Sequence, residues 1–145
     1  VAKGARRPKS PFAGKLDLFF AAEIEVHLSR NADKDLHILK DILIRSPRLG
    51  LRRNYLQTLA ASYFVKWIDL VSEPDHASPD LADLLERALD FLDREDADLR
   101  ATLHFEKQLA ECLGIDEPGV SAHVSLGNVF HRVPSQRADL MERFG

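Results

Sequence analysis

The stretch LDLFFAAEIEVHL, residues 16–28, decides the fold. Its residues alternate. Leu16, Leu18, Phe20, Ala22, Ile24, Val26 and Leu28 share one parity, and Asp17, Phe19, Ala21, Glu23, Glu25 and His27 share the other. Successive side chains on a strand point to opposite faces, so a period of two predicts a long, half-buried antiparallel strand. The segment SRNADKD (29–35) comes next, rich in Asn, Asp and Ser, whose short polar side chains favour turns. Then LHILKDILI (36–44) places Leu36, Ile38, Ile42 and Ile44 on one parity with Lys40 between them, a second strand bulged or bent near Lys40. The two read as a hairpin. A lone pair of strands is marginal in water, so its apolar face needs either strands upstream of Val1 or cover from the C-terminal part of the chain.

That C-terminal part is helical. After Ser46-Pro47 the period changes from two to between three and four. Ser caps helices and Pro tolerates the first turn, so a helix is expected to start nearby. Its stripe is Leu56, Leu59, Ala60, Tyr63, Phe64, Trp67, Ile68 and Val71. SEPDHASP (72–79) is a linker, and Ser78-Pro79 opens a second helix with Leu81, Leu84, Leu85, Ala88, Leu89 and Leu92 on one face. A third is expected over 98–113, with Leu99, Leu103, Leu109, Ala110 and Leu113 apolar and Gly114 placed to end it. Two shorter helices, 121–130 and 135–144, are split by Pro134. Strands first and helices after predict an α+β chain of two units, a β piece over 1–46 and an all-α bundle over 47–145.

Working back from residue 16, the opening VAKGARRPKSPFAGK carries Lys3, Arg6, Arg7, Lys9 and Lys15 and no acid. Gly and Pro hold such a segment open, and cations projecting from it without competing carboxylates suit phosphate groups. A second basic group, Arg45, Arg48, Arg52 and Arg53, spans the strand-to-helix junction, with Arg48 and Arg52 on one helix face if the helix has begun. The net charge of −3 hides this asymmetry: residues 1–68 carry +7 and residues 69–117 carry −11. A basic half suggests a polyanion partner, and the acidic half reads as a solvated helical face. Ordinary surface charge is the competing reading of the basic groups. Phe12, in the loop, and Phe19, on the polar parity, are the candidates to stack on bases; Phe20 reads as core.

Catalysis finds little support. The six histidines are scattered, and no HExxH, CxxC, P-loop or dinucleotide-binding glycine pattern occurs. No metal and no cofactor is expected. Cys112, the single cysteine, reads as core filler in the last turn of a helix, and one thiol suits a reducing compartment, hence the cytoplasm. No apolar run approaches the ~20 residues that span a bilayer, and no membrane partner is expected.

With these residues in view, the chain resembles the RecO family of bacterial recombination mediators. The opening VAKGARRPKSPFAGKL is similar to the segment leaving the third strand of that family's N-terminal OB fold. The likeness runs on through the long strand, DLHILKD, the arginine-bearing junction, the helix holding Tyr63, LLERALDFLD and FEKQLAECLGI, about 115 residues in all. The resemblance implies the C-terminal part of an OB-fold barrel, its first strands lying upstream of Val1, followed by a RecO-type helical domain. It implies a non-enzymatic, nucleoid-associated protein that binds single- and double-stranded DNA without sequence preference, anneals strands, and with RecR promotes RecA loading onto DNA covered by single-strand binding protein. Lys3, Arg6, Arg7, Lys9, Lys15, Arg48, Arg52 and Arg53 are the expected DNA contacts. In the family the acidic, phenylalanine-ended tail of single-strand binding protein docks on the helical domain. Many members also carry zinc cysteines after the position of CLGIDEPGVSAH; here that stretch has only Cys112, with Ser121 and His123 further on. The alternative is a helical protein-interaction module that does not touch nucleic acid.

Overall fold

A computed structural model describes residues 2, 5–28, 37–74 and 76–145. The chain divides into two compact units, Val1–Arg48 and Leu49–Gly145.

The first unit is built on two antiparallel strands, β1 (Ala21–His27) and β2 (Ile38–Ser46). Ile24 pairs with Ile42 and Glu25 with Asp41, but Val26 pairs with Leu39. The jump leaves Lys40 as the extra residue of a bulge, which is where the sequence placed the irregularity. Residues 16–20, expected as the start of β1, lie outside the ladder. Phe19 adopts φ +65°, a left-handed conformation that no strand continues through. The apolar parity is also not covered within this unit: Ile24 is 60% exposed, and Val26 and Leu28 are exposed as well. The turn expected over 29–35 lies outside the described residues.

Before β1 the chain is a string of tight turns. The N–H of Ser10 donates to the carbonyl of Arg7 (2.9 Å), that of Ala13 to Ser10 (3.1 Å) and that of Lys15 to Phe12 (3.1 Å). Gly14 supplies a positive φ of +70°, which glycine adopts without steric cost. Phe12 is 6% exposed; with Ile42 it is the buried apolar content of this unit among the described residues.

The second unit is helical. A short 3-10 turn, Leu49–Arg52, leads into α1 (Tyr55–Val71), α2 (Pro79–Arg94), α3 (Leu99–Cys112), α4 (Ala122–Phe130) and α5 (Gln136–Phe144). The helix expected directly after Ser46-Pro47 starts later, because β2 runs through Ser46 and Asn54 is the residue that caps α1. The Asn54 side chain accepts from the N–H of Gln57 (2.9 Å). Asp98 caps α3 in the same way, accepting from Ala101 (2.7 Å). Pro79 occupies the first turn of α2 as expected.

Helix α1 is the spine, packed on α2, α5 and the 3-10 turn, while α3 packs on α2, α4 and α5. Tyr63, Phe64, Trp67, Phe105, Leu92, Leu109, Leu126 and Leu140 fill the core. The stripe read for α3 is rotated. Leu99 and Leu103 are exposed, and the face turned inward carries Thr102, Phe105, Glu106, Leu109 and Ala110. Cys112, expected in the core, is exposed for the same reason.

The 3-10 turn is locked by a close approach. Gly50 donates its N–H to Asp93 Oδ1 (2.7 Å), and a Cβ added at Gly50 would lie 1.9 Å from the Asp93 carbonyl oxygen. Gln57, buried in α1, joins the α2–α3 connection. Its amide nitrogen donates to the carbonyls of Leu92 and Glu95, and its oxygen accepts from the N–H of Ala97.

Candidate functional site

The basic loop of the first unit supplies one candidate surface. Arg6, Arg7 and Lys9 are exposed on the turns between Ala5 and Ser10. Burial of Phe12 and the turn hydrogen bonds hold the loop, so the cations project from a shaped segment and not from a free tail. Phe12 itself is thereby removed from the stacking candidates: a buried ring offers no open face to a base. Phe19 is half-buried.

The remaining predicted contacts are more committed. Lys15 Nζ donates to the carbonyl of Ile42 (3.2 Å), tying the loop to β2. Arg48, expected on a helix face beside Arg52, is 5% exposed, has φ +42°, and donates from Nη1 to the carbonyl of Phe19 (3.2 Å). It is a structural tie across the first unit. Arg45 pairs with Glu23 on the neighbouring strand. Lys3 lies outside the described residues.

Arg52 and Arg53 belong to the second unit. Arg53 donates from Nε to the carbonyl of Gly50 (3.2 Å) and from Nη2 to that of Glu95 (3.3 Å), and lies 3.8 Å from an Asp96 carboxylate oxygen. Its charge is spent on the 3-10 turn and on the C-terminal end of α2. Arg52 is exposed at the end of the 3-10 turn. The structure therefore brings Arg6, Arg7 and Lys9 together and assigns Arg48 and Arg53 to holding the fold.

A second candidate surface, which sequence reading did not locate, lies within the helical unit. Helices α2 and α3 diverge over α1 and leave a groove of about 620 Å³. Its floor is apolar: Phe64 and Phe105 stack with centroids 4.1 Å apart and planes at 16°, and Leu84, Ala88, Phe91 and Ala101 continue it. Its rim is polar, with Arg87 from α2 and Asp98, Arg100, His104 and Gln108 from α3. Leu84 and Ala88 belong to the apolar stripe read for α2, and Phe91, an aromatic residue outside that stripe, is the signal that could have pointed to the groove. Phe91 remains 43% exposed.

A third cluster is buried. Glu106, 1% exposed, accepts from the Tyr63 hydroxyl (2.6 Å) and from Arg137 Nε (2.7 Å) and Nη2 (3.3 Å). It joins α3 to α1 and α5. Burial, then the adjacent carboxylate, pushes the Tyr63 phenol far up, so it stays a hydrogen-bond donor. His123 of α4 lies close enough to feel both Arg137 and Glu106. Burial and then the Arg137 charge hold its imidazole below the ordinary value. Both carboxylate oxygens are engaged, by Tyr63 and Arg137, so this cluster reads as a strut.

Among the described residues no three His, Cys, Asp or Glu side chains come together as metal ligands. Cys112 is exposed at the C-terminal end of α3. No helix of the described residues is long and apolar enough to cross a membrane.

No family model matches the chain, and no solved structure matches it. The chain is 30% identical over 114 residues to the DNA repair protein RecO of Rhodopirellula baltica, a match covering 79% of this chain. Over those residues the chain is RecO-like, and it spans 42% of the length of that relative.

Proposed function

We propose that the chain is part of a non-enzymatic recombination mediator of the RecO type, acting in DNA repair on nucleoid DNA in the bacterial cytoplasm. The observation that carries this reading is the turn-locked, acid-free loop that exposes Arg6, Arg7 and Lys9. Contact is with the phosphodiester backbone. Each cation that meets a phosphate releases a counterion, which gives affinity without reading bases and serves single and double strands alike. Phe19 adds a stacking face for an unpaired base. Holding two strands on one positive surface reduces their repulsion and favours annealing, for which indifference to sequence is required.

The helical unit carries the protein contacts. An acidic segment ending in phenylalanine, such as the tail of single-strand binding protein, suits the α2–α3 groove. The aromatic ring would enter beside Phe91 and the Phe64–Phe105 stack, and carboxylates would meet Arg87 and Arg100. Contact with RecR and promotion of RecA loading complete the family role.

Fluorescence anisotropy with oligo-dT tests the DNA reading. Tight binding at low salt that falls steeply as salt rises is expected. The double variant Arg6→Ala with Arg7→Ala should reduce the logarithmic salt slope by about 1.4, at ~0.7 per cation for a single strand. It should also weaken every sequence about equally. A strong base preference, or no binding at low salt, overturns the proposal. The groove favours a second reading, a protein-interaction module without direct contact to nucleic acid, and absence of oligo-dT binding with retained peptide binding would select it.

A further inference from the structure

We infer that Phe19 gives the basic unit a preference for single-stranded over double-stranded DNA, its ring presented to an unpaired base by a strained, left-handed turn. The inference rests on the reading of Arg6, Arg7 and Lys9 as phosphate contacts and goes beyond it to the class of strand.

The backbone of Phe19 stands at φ +65°. In that region the Cβ crowds the following carbonyl, and a bulky side chain is rarely found there. The chain uses the cheap solution five residues earlier, where Gly14 takes φ +70° with open space in place of a Cβ. A glycine at 19 would make the same turn and lose only the ring. The turn is also enforced from beyond the end of β2. Arg48, buried and itself at φ +42°, donates from Nη1 to the Phe19 carbonyl (3.2 Å). Two left-handed residues, neither of them glycine, are thus joined by a hydrogen bond. Such strain persists only where the surroundings enforce it, and it collects at binding sites.

Core packing does not account for the ring. Phe19 is half-buried, whereas the buried apolar side chains of this unit, among the described residues, are Phe12 and Ile42. Among the described residues it also stacks on no other aromatic side chain. An aromatic face without a ring partner, in the unit that carries the free cations, suits a base. The cations alone do not tell one strand from two, because both present phosphates. The ring does. Inside a duplex each base is already stacked on both sides, while a single strand offers open faces. Every base has such a face, so the preference is for strand type and not for sequence.

The test uses the full chain with a fluorescein-labelled dT oligonucleotide and a labelled duplex of the same length, titrated by anisotropy at one low salt concentration. Phe19→Leu should raise the dissociation constant for oligo-dT about tenfold, within the range for one base stacked on an aromatic ring, and that for the duplex by less than about twofold. Phe19→Tyr, which keeps a ring, should bind oligo-dT as the unsubstituted chain does. Phe19→Gly and Phe19→Ala should both bind oligo-dT as weakly as Phe19→Leu. Of these two, Phe19→Gly should have the higher urea midpoint, because glycine alone takes the left-handed turn without strain. An equal loss for oligo-dT and duplex, no loss for either, a failure of Phe19→Tyr to retain binding, or a higher midpoint for Phe19→Ala than for Phe19→Gly overturns the inference and leaves the DNA reading standing. An unsubstituted chain that does not bind oligo-dT overturns both.

Discussion

Glu106 shows how much one side chain can carry. Its carboxylate is buried and joins three helices through Tyr63 and Arg137. Removing one partner leaves a charge without compensation, which is why breaking a buried pair costs more than the pair contributes. Arg137→Ala should destabilise the chain by about 3–5 kcal/mol, and Tyr63→Phe, which removes one hydrogen bond to a charged acceptor, by about 1.5–3 kcal/mol; both are read as shifts in urea midpoint. Gly50→Ala should cost at least ~2 kcal/mol by the same measurement, because its Cβ would collide with the Asp93 backbone and neither turn nor helix end can yield cheaply. His123 makes stability depend on pH. Its folded-state proton affinity is lowered, so the unfolded chain binds the proton better. The stabilising contribution is complete above the unfolded value of about 6.5 and is lost as pH falls below it through the folded value. His123→Gln should flatten the acid limb of a stability-versus-pH curve measured by urea unfolding; an unchanged limb would show that other groups set it. None of these roles was legible in the sequence. A stripe is read by its apolar members, and glutamate in a helix reads as solvated. Thr102, Phe105, Glu106 and Leu109 do recur at three and four, but only the fold shows that the arginine neutralising Glu106 comes from a segment 31 residues away.

Elements were read best where their signals are local. Ser78-Pro79, Asp98 and Gly114 mark helix ends through chemistry within a few residues, and the observed ends fall beside them. The bulge at Lys40 was visible because a charge interrupts an apolar parity. Misreadings arose where a local signal met a tertiary competitor. Ser46-Pro47 looks like a helix start, yet Ser46 pairs with Ala21 in the ladder and the start passes to Asn54. Residues 16–20 alternate like a strand, but the left-handed turn at Phe19, whose carbonyl accepts from Arg48, ends the extended run. These differences bear on stability. Asn54→Ala should cost about 1 kcal/mol as the loss of a working cap. Ser78→Ala should change the urea midpoint little, since the Ser78 side chain makes no capping bond and Pro79 already fixes the first turn.

Across the whole molecule the charge is divided more sharply than the total suggests. Residues 1–48 carry +4 and residues 49–145 carry −7. The division limits where a polyanion can be held. Arg52 and Arg53 sit in the acidic unit, and Arg53 is already engaged with Asp96, with the carbonyl of Glu95 at the end of α2 and with that of Gly50 in the 3-10 turn. Drawing Arg53 onto a phosphate would release those carbonyls and expose the nucleic acid to the carboxylates of Asp93, Glu95 and Asp96. A gain in one contact would be offset by the loss of another. In the basic unit Arg6, Arg7 and Lys9 have no such prior engagement among the described residues, so their phosphate contacts cost only the ordering of their side chains. The two groups looked equivalent in sequence because both are runs of cations. What separates them is the identity of the carbonyls and carboxylates that the fold brings to each. Arg52→Ala with Arg53→Ala should therefore alter oligo-dT affinity by less than about twofold, well below the tenfold that ~1.4 kcal/mol would produce, while lowering the thermal midpoint through the lost ties to α2. An equal or larger loss of affinity than that of Arg6→Ala with Arg7→Ala would move the binding surface to the helical unit.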